Sequence, residues 1–280
     1  MSEDVSISPK QYDVIADIQQ QTLEMLVAND SMVDIFNTLC ALAESVLPNA
    51  VASIMMKDTI SGLLSVKCAP SIPPIGHEAL ANLQPGPCGG SCGNAVFHNE
   101  AQYVQNTFKD DRWKNLRRVA YDFNLCSCWS MPIRDEKKEA IGSFALSSFE
   151  HRTPALFHKK LLETCSTIVS IVLKRQRRES RMQLLYIGLN NASEGVIITD
   201  KNNLIVEVNP AFEKIYGYCE KDVIGLDPKI LSSGIQNELF YQQFWQELLD
   251  KDKWKGEITN RHQNGSLVNQ WMSITVIKDE

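Results

Sequence analysis

Four of the eight cysteines in this 280-residue chain fall in two close pairs. Cys88 and Cys92 lie within "GPCGGSCGNAVFHNE", and Cys126 and Cys128 lie within "NLCSCWSMPI". Thiols so placed can serve three chemistries. Structural zinc takes four thiolate or imidazole ligands; the spacing of the first pair suits half of such a site, while C-x-C is a poor second half. In a strand, Cys126 and Cys128 would face one side together and could meet the first pair across a pocket. A thiol couple needs only two of the four, and Cys92 gains thiolate character from the helix dipole if "CGNA" opens a helix. The third reading is a pocket wall, in which small buried thiols and glycines bring backbone N–H groups close to a ligand. The residues alone leave all three open. Cys40, Cys68, Cys165 and Cys219 fall on expected helices, a strand or a turn, and read as packing residues.

The elements that would carry these residues follow from periodicity. Residues 9–28 place Tyr12, Ile15, Ile18, Leu23 and Leu26 at helical spacing. A second helix, "SMVDIFNTLCALAESVL", has Ser31 as N-cap and Asp34 three residues on. "AVASIMMKD" and "GLLSVKCAP" pair as strands across a loop at Ser61-Gly62. "AQYVQN" reads as a short strand, "DDRWKNLRRVAYDFN" as an amphipathic helix, and "SCWSMPIRDEKKEAIGSFALSSF" as a hairpin turned at Asp135–Lys138. One long helix runs from Pro154 to about Leu189. Beyond it come strand, turn and strand, a short helix from Asn209-Pro210, and an amphipathic helix, "NELFYQQFWQELLDK". A final hairpin turns at "QNG", with Trp254, Ile258, Trp271, Ile274 and Val276 available for one face. This order predicts an α+β chain of two domains.

Bulk properties exclude several classes. A net charge of −6 argues against a general nucleic-acid binder. No apolar run approaches the ~20 residues of a membrane span. The polar, acidic start "MSEDVSISPK" is no signal peptide, and eight cysteines without one predict a reducing, cytoplasmic location.

Residues 31–152 resemble a GAF domain, through "GSCGNA", the D-x-x-W element "DDRW", and "CWSMPI" before a terminal hairpin. Residues 190–280, with the end of the preceding helix, resemble a PAS domain. The matching pieces are "GVIITD", "VNPAF", "VIG", "SSG", "FYQQFW", "WKGEITNR" and "NG". The spacing predicts an N-terminal helix over 1–30 and a helical linker over 153–189; the resemblance implies an antiparallel GAF sheet flanked by helices and a PAS sheet with covering helices. It also implies a GAF ligand pocket built from Cys88, Ser91, Cys92, Trp113, Cys128 and Trp129. Because a PAS sheet normally has one more strand after "WMSITVIKD", the chain is expected to stop inside that domain. Tandems of this type resemble the sensory front of bacterial signalling proteins, many of which make or destroy cyclic di-GMP through GGDEF or EAL domains. A sensor histidine kinase is the alternative parent, although His158 lacks the surroundings of a phospho-acceptor.

The stretch "GSCGNA" is also similar to that of free-methionine-sulfoxide reductases, which are single GAF domains. That likeness implies attack by Cys92, resolution by Cys88, and a third thiol from Cys126 or Cys128. The family's other cysteines do not fall at these offsets. For cofactors, the hairpin "WKGEITNR" resembles that of flavin-binding PAS sensors, which implies Trp254, Asn260 and Arg261 around FAD. Covalent bilin would need a Cys-His pair, and PAS haem a histidine in the helix before the hairpin; the sequence has neither, and haem in the GAF domain would need His77 or His98. In the long helix, Leu161, Ile168, Ile171, Arg175, Arg178, Met182, Leu185 and Leu189 form a partly polar heptad stripe. The stripe predicts a parallel homodimer spine, with Lys174–Arg178 as its solvated face.

Overall fold

Two serines start the chain's helical framework. Ser8 caps α1 (Pro9–Val27), accepting from the Gln11 backbone N–H while the Gln11 side chain accepts from Ser8 N–H at 2.9 Å. Ser31 caps α2 (Met32–Val46) by accepting from Asp34 N–H at 3.2 Å. Ile35, Phe36, Leu39, Cys40 and Ala43 of α2 recur at three- and four-residue intervals and are all buried. The computed structural model describes residues 6–278 and divides after Glu179 into two compact units.

In the first unit, β1 (Ala50–Lys57) and β2 (Leu64–Cys68) lead to α3 (Pro74–Ala79), α4 (Gly90–His98) and β3 (Gln102–Val104). A 3₁₀ turn (Asp111–Leu116) runs into α5 (Arg117–Asp122), followed by β4 (Ser127–Arg134) and β5 (Ala140–Ser148). All pairings are antiparallel in the order β2-β1-β5-β4-β3. Alternation along the strands splits the interior in two. Ala52, Ile54, Trp129, Ile133, Phe144 and Leu146 face a core shared with α1 and α2. Val51, Met55, Cys128 and Ala145 face the opposite layer, made by α4 and the segment from Trp113 to Ala120.

"DDRWKNLRRVAYDFN" is not one helix. Asp110 accepts from the Arg112 N–H at 3.0 Å and from its guanidinium at 2.7 Å, closing a tight first turn that stays 3₁₀ up to Leu116. The short α3 was not legible in a Pro-rich stretch.

The helix expected over 154–189 is α6 (Leu156–Asn190). Its first half is not a free linker. Phe157, Leu161, Leu162, Cys165, Ile168, Val169 and Val172 complete the same core as α1 and α2, because that stripe meets the sheet before the charged run begins. Part of the basic run is used within the unit too: Lys174 pairs with Glu136 at 2.9 Å, and the Arg175 guanidinium holds the Leu26 carbonyl and Asn29. Beyond it, Met182, Leu185 and Leu189 are exposed. Among the described residues no helix is long and apolar enough to cross a membrane.

The second unit contains two antiparallel pairs, β6 (Ile197–Thr199) with β7 (Ile205–Val208), and β8 (Lys253–Arg261) with β9 (Leu267–Thr275). Between them lie α7 (Pro210–Tyr216), α8 (Glu220–Val223), a 3₁₀ turn (Pro228–Leu231) and α9 (Glu238–Lys251). Asn209 organises the start of α7. Its Oδ1 accepts from Val196 N–H at 2.8 Å and Phe212 N–H at 3.1 Å; its Nδ2 donates to the carbonyls of Leu189 at 3.0 Å and Glu194 at 2.9 Å. The hairpin register pairs Trp254 with Ile274 and Ile258 with Gln270. Trp271 pairs with Glu257 and is 68% exposed, so it does not share the face of Trp254; residues 271 and 274 have opposite parity on a strand. Met272 and Ile274 pack there instead, beside Phe244, Leu248, Trp254 and Ile258.

Candidate functional site

The glycines of "GPCGGSCGNA" allow the start of α4 to approach neighbouring backbone. A Cβ on Gly89 would stand 2.5 Å from the Gln84 carbonyl, and one on Gly90 would stand 2.8 Å from Leu116. Gly90 also has φ of +66°, which an L-residue rarely adopts. This approach sets Ser91 and Cys92 against β4. Ser91 Oγ donates to the Cys128 carbonyl at 2.9 Å and accepts from Trp113 Nε1–H at 2.9 Å. Cys92 Sγ lies 3.3 Å and Cys128 Sγ 3.8 Å from the same Ser130 hydroxyl. Asn94 steadies the turn by donating to the carbonyls of Pro87 at 2.9 Å and Gly90 at 3.1 Å.

The result is a buried cluster of two thiols and several hydroxyls, with Ser143 and Ser147 contributed by β5. The Ser143 hydroxyl is buried with no hydrogen-bond partner among the described residues. It faces the Cys92 thiol and acts to lower its pKa.

The thiols differ. Cys128 is held down to about 7, first by the Cys92 thiol donating to it and then by the hydroxyls of Ser147, Ser91 and Ser130, against the effect of burial. Cys92 is pushed well up by Cys128 and by burial. Both directions make Cys128 the more acidic of the two thiols. Because the folded state lowers its pKa, Cys128 contributes stability present above the free-thiol value and lost as pH falls through about 7. Cys92→Ala removes the leading donor, and the Cys128 titration is expected to move upward. Thiolate absorbance of Cys92→Ala against the Cys92→Ala/Cys128→Ala double variant would measure it, and an unmoved midpoint would contradict the assignment.

Of the residues expected here, the structure gathers Ser91, Cys92, Trp113 and Cys128. Cys88 is half-buried in the turn before α4. Cys126 precedes β4, and its thiol donates to Asn124 Oδ1 at 3.7 Å. Among the described residues no three His, Cys, Asp or Glu side chains could hold a metal together. The four-cysteine zinc arrangement is thus not assembled: the Cys126 thiol is taken by Asn124 and Cys88 lies in the turn before α4. Trp129 faces the other side of the sheet, 1% exposed in the core with α2 and α6, and its Nε1–H donates to the Arg152 carbonyl at 3.3 Å. It cannot line a pocket with Cys128. Ser130, Ser143 and Ser147 were missed; their signal was spacing by two from Cys128 along β4 and within β5.

In the second unit, each residue expected around FAD engages the chain's own groups. Trp254 packs among Phe240 and Phe244, Asn260 Nδ2 donates to Tyr216 Oη at 3.1 Å, and Arg261 donates to the Ser233 carbonyl at 2.6 Å.

Comparison with known proteins agrees with this architecture. A GAF-domain family model matches residues 29–174 and a PAS-fold model matches residues 186–269. The first match includes the buried half of α6, as the packing requires. The methyl sulfide methyltransferase-associated sensor of Methanosarcina acetivorans is 21% identical over 220 residues, 74% of this chain and 21% of that protein. The nitrogen fixation regulatory protein of Klebsiella oxytoca is 31% identical over 84 residues, 30% of this chain and 17% of that protein. This chain therefore spans about a fifth of the length of these relatives. The GAF domain of a phosphoenolpyruvate-protein phosphotransferase from Coxiella burnetii superposes with a TM-score of 0.51 at 13% identity, over 61% of this chain and 96% of that structure, a likeness of fold. With more than half of its 280 residues matched from β-sheet to helix, the chain belongs to the GAF domain family, and a PAS domain follows the GAF domain.

Proposed function

We propose that this chain is the sensory part of a longer signalling protein, in which the GAF domain responds to a small ligand or redox change at the Cys92–Cys128 cluster. The observation that carries the reading is the buried pair Cys92 and Cys128, ringed by the hydroxyls of Ser91, Ser130 and Ser143. A molecule seated there would press on β4 and β5, whose opposite face carries Trp129 and packs on the first half of α6. The exposed stripe Met182, Leu185 and Leu189 is what a second copy of α6 would cover in a parallel coiled coil. Signalling then requires only that the ligand bind two states of α6 unequally. The output is a diguanylate cyclase, a cyclic-di-GMP phosphodiesterase or, on equal footing, a histidine kinase.

Thermal-shift titration of the full chain with free amino acids, their sulfoxides and cyclic nucleotides is expected to yield a compound that raises the first unit's transition. That compound should slow amide hydrogen exchange across residues 174–190. Trp113→Phe, which removes the indole N–H holding Ser91, should weaken its binding about 10-fold. A compound that binds at the cluster and leaves exchange of 174–190 unchanged refutes the relay.

A second reading is favoured by the two thiols sharing one hydroxyl. A thiol-based reductase of the free-methionine-sulfoxide type would use this pair, and turnover with a dithiol reductant would distinguish it from a sensor.

A further inference from the structure

Cys40 and Cys68 read as packing residues in the sequence, but the fold sets their Sγ atoms 4.0 Å apart, on α2 and at the end of β2. We propose that Cys40 and Cys68 are a second thiol pair, which a hydroperoxide entering the cleft beside α2 converts to a disulfide. This inference stands apart from the Cys92–Cys128 cluster, which occupies the opposite face of the sheet.

The two thiols are unequal in access. Cys40 is 0% exposed in the middle of α2. Cys68 is 7% exposed and lines a cleft of about 420 Å³, together with Phe36, Asn37, Lys67 and His77. A small oxidant in that cleft meets Cys68 first. Cys68 also has room to shift. It is the last residue of β2, the ladder is irregular opposite it between Ile54 and Met55, and the next residues leave the sheet at Ala69-Pro70. A disulfide needs its sulfurs at about 2.05 Å, so the closure is short. The Cys68 thiol donates to Asn37 Oδ1 at 3.1 Å, on the wall of the same cleft. The Cys40 thiol donating to Cys68 holds Cys68 down, against burial and Glu44, while Cys40 itself is pushed up.

In the first step the Cys68 thiolate attacks one oxygen of the hydroperoxide. The O–O bond breaks, the leaving alkoxide takes a proton to become an alcohol, and Cys68 becomes a sulfenic acid. In the second step Cys40 loses its proton and attacks that sulfur, expelling hydroxide, which leaves as water. Two thiols and one hydroperoxide thus give one disulfide, one alcohol and one water, and a dithiol reductant restores the pair. The bridge would tie α2 to the edge of the sheet within the core that also contains Cys165 of α6.

The test treats the reduced full chain with stoichiometric hydrogen peroxide, blocks free thiols with N-ethylmaleimide, and digests without reduction using trypsin plus Glu-C. These proteases cut between Cys40 and Cys68 and, at Glu78, between Cys68 and Cys88. The expected product joins the Cys40 and Cys68 peptides, two hydrogens lighter than their sum, and persists in the Cys92→Ala/Cys128→Ala variant. In Cys40→Ala, dimedone should capture a sulfenic acid at Cys68; in Cys68→Ser, Cys40 should stay reduced. Recovery of Cys40 and Cys68 as maleimide adducts while Cys92 and Cys128 are bridged overturns this proposal and leaves the cluster reading standing. Failure of Cys40→Ala to fold does not spare the proposal, because the wild-type peptide map decides it alone.

Discussion

Trp129→Ala is expected to cost the GAF domain about 3–5 kcal/mol, the range for removing a large aromatic side chain from a packed core. That is a large part of the stability a domain of this size has, on the order of 5–15 kcal/mol. The indole is 1% exposed, packed in the core with Phe36, Leu161 and Phe144, and its N–H satisfies the Arg152 carbonyl. The variant leaves both a cavity and an orphaned acceptor. Urea unfolding followed by circular dichroism should show the GAF transition moved to much lower denaturant, with the PAS transition in place, since the two units have separate cores. A loss below about 1 kcal/mol would show that Trp129 is not the core residue described here.

The second large effect belongs to Asn209. Its side chain makes four hydrogen bonds while 4% exposed: two backbone N–H groups donate to it, and it donates to two carbonyls. Asn209→Ala strands all four groups and removes the cap of α7. With roughly 1–3 kcal/mol for each buried group left unpaired, and water rescuing some, the expected loss is on the order of 3–5 kcal/mol. Asn209→Asp has a distinctive pH signature. A carboxylate still accepts from Val196 and Phe212 but sets negative charge against the carbonyls of Leu189 and Glu194. Its pKa should rise above the ordinary aspartate value of about 3.9, so the variant gains stability relative to wild type as pH falls and loses it as pH rises through the raised value. Chemical denaturation of both proteins across that range tests the sign, and a difference independent of pH would refute the hydrogen-bond assignment.

Much of this fold was readable in the sequence because its signals were local. Ser8 and Ser31 sit where caps belong, "QNG" turns its hairpin, and the short apolar runs "AVASIMMK" and "SCWSMPIR" give buried strands. What failed depended on parity or on distant partners. Trp129 and Cys128 are adjacent in sequence and therefore on opposite faces, so grouping them in one pocket ignored the pleat. Trp271 failed by the same rule. The site was half legible. Glycine spacing pointed to Ser91 and Cys92, but Cys128 is lowered further by hydroxyls of β4 and β5, and serines are too common to stand out. The pairing of Cys40 with Cys68 spans 28 positions and could not be seen before the sheet was built.

The long helix α6 has a mechanical consequence. Between Leu156 and Ile187 it contains neither proline nor glycine, and its first half is clamped by the domain's own interior. That half is therefore an anchored root. Gly188 is the one weak point, with nothing packed within 4 Å of where a side chain would begin. Compliance is thus concentrated one residue before Leu189, whose carbonyl Asn209 grips.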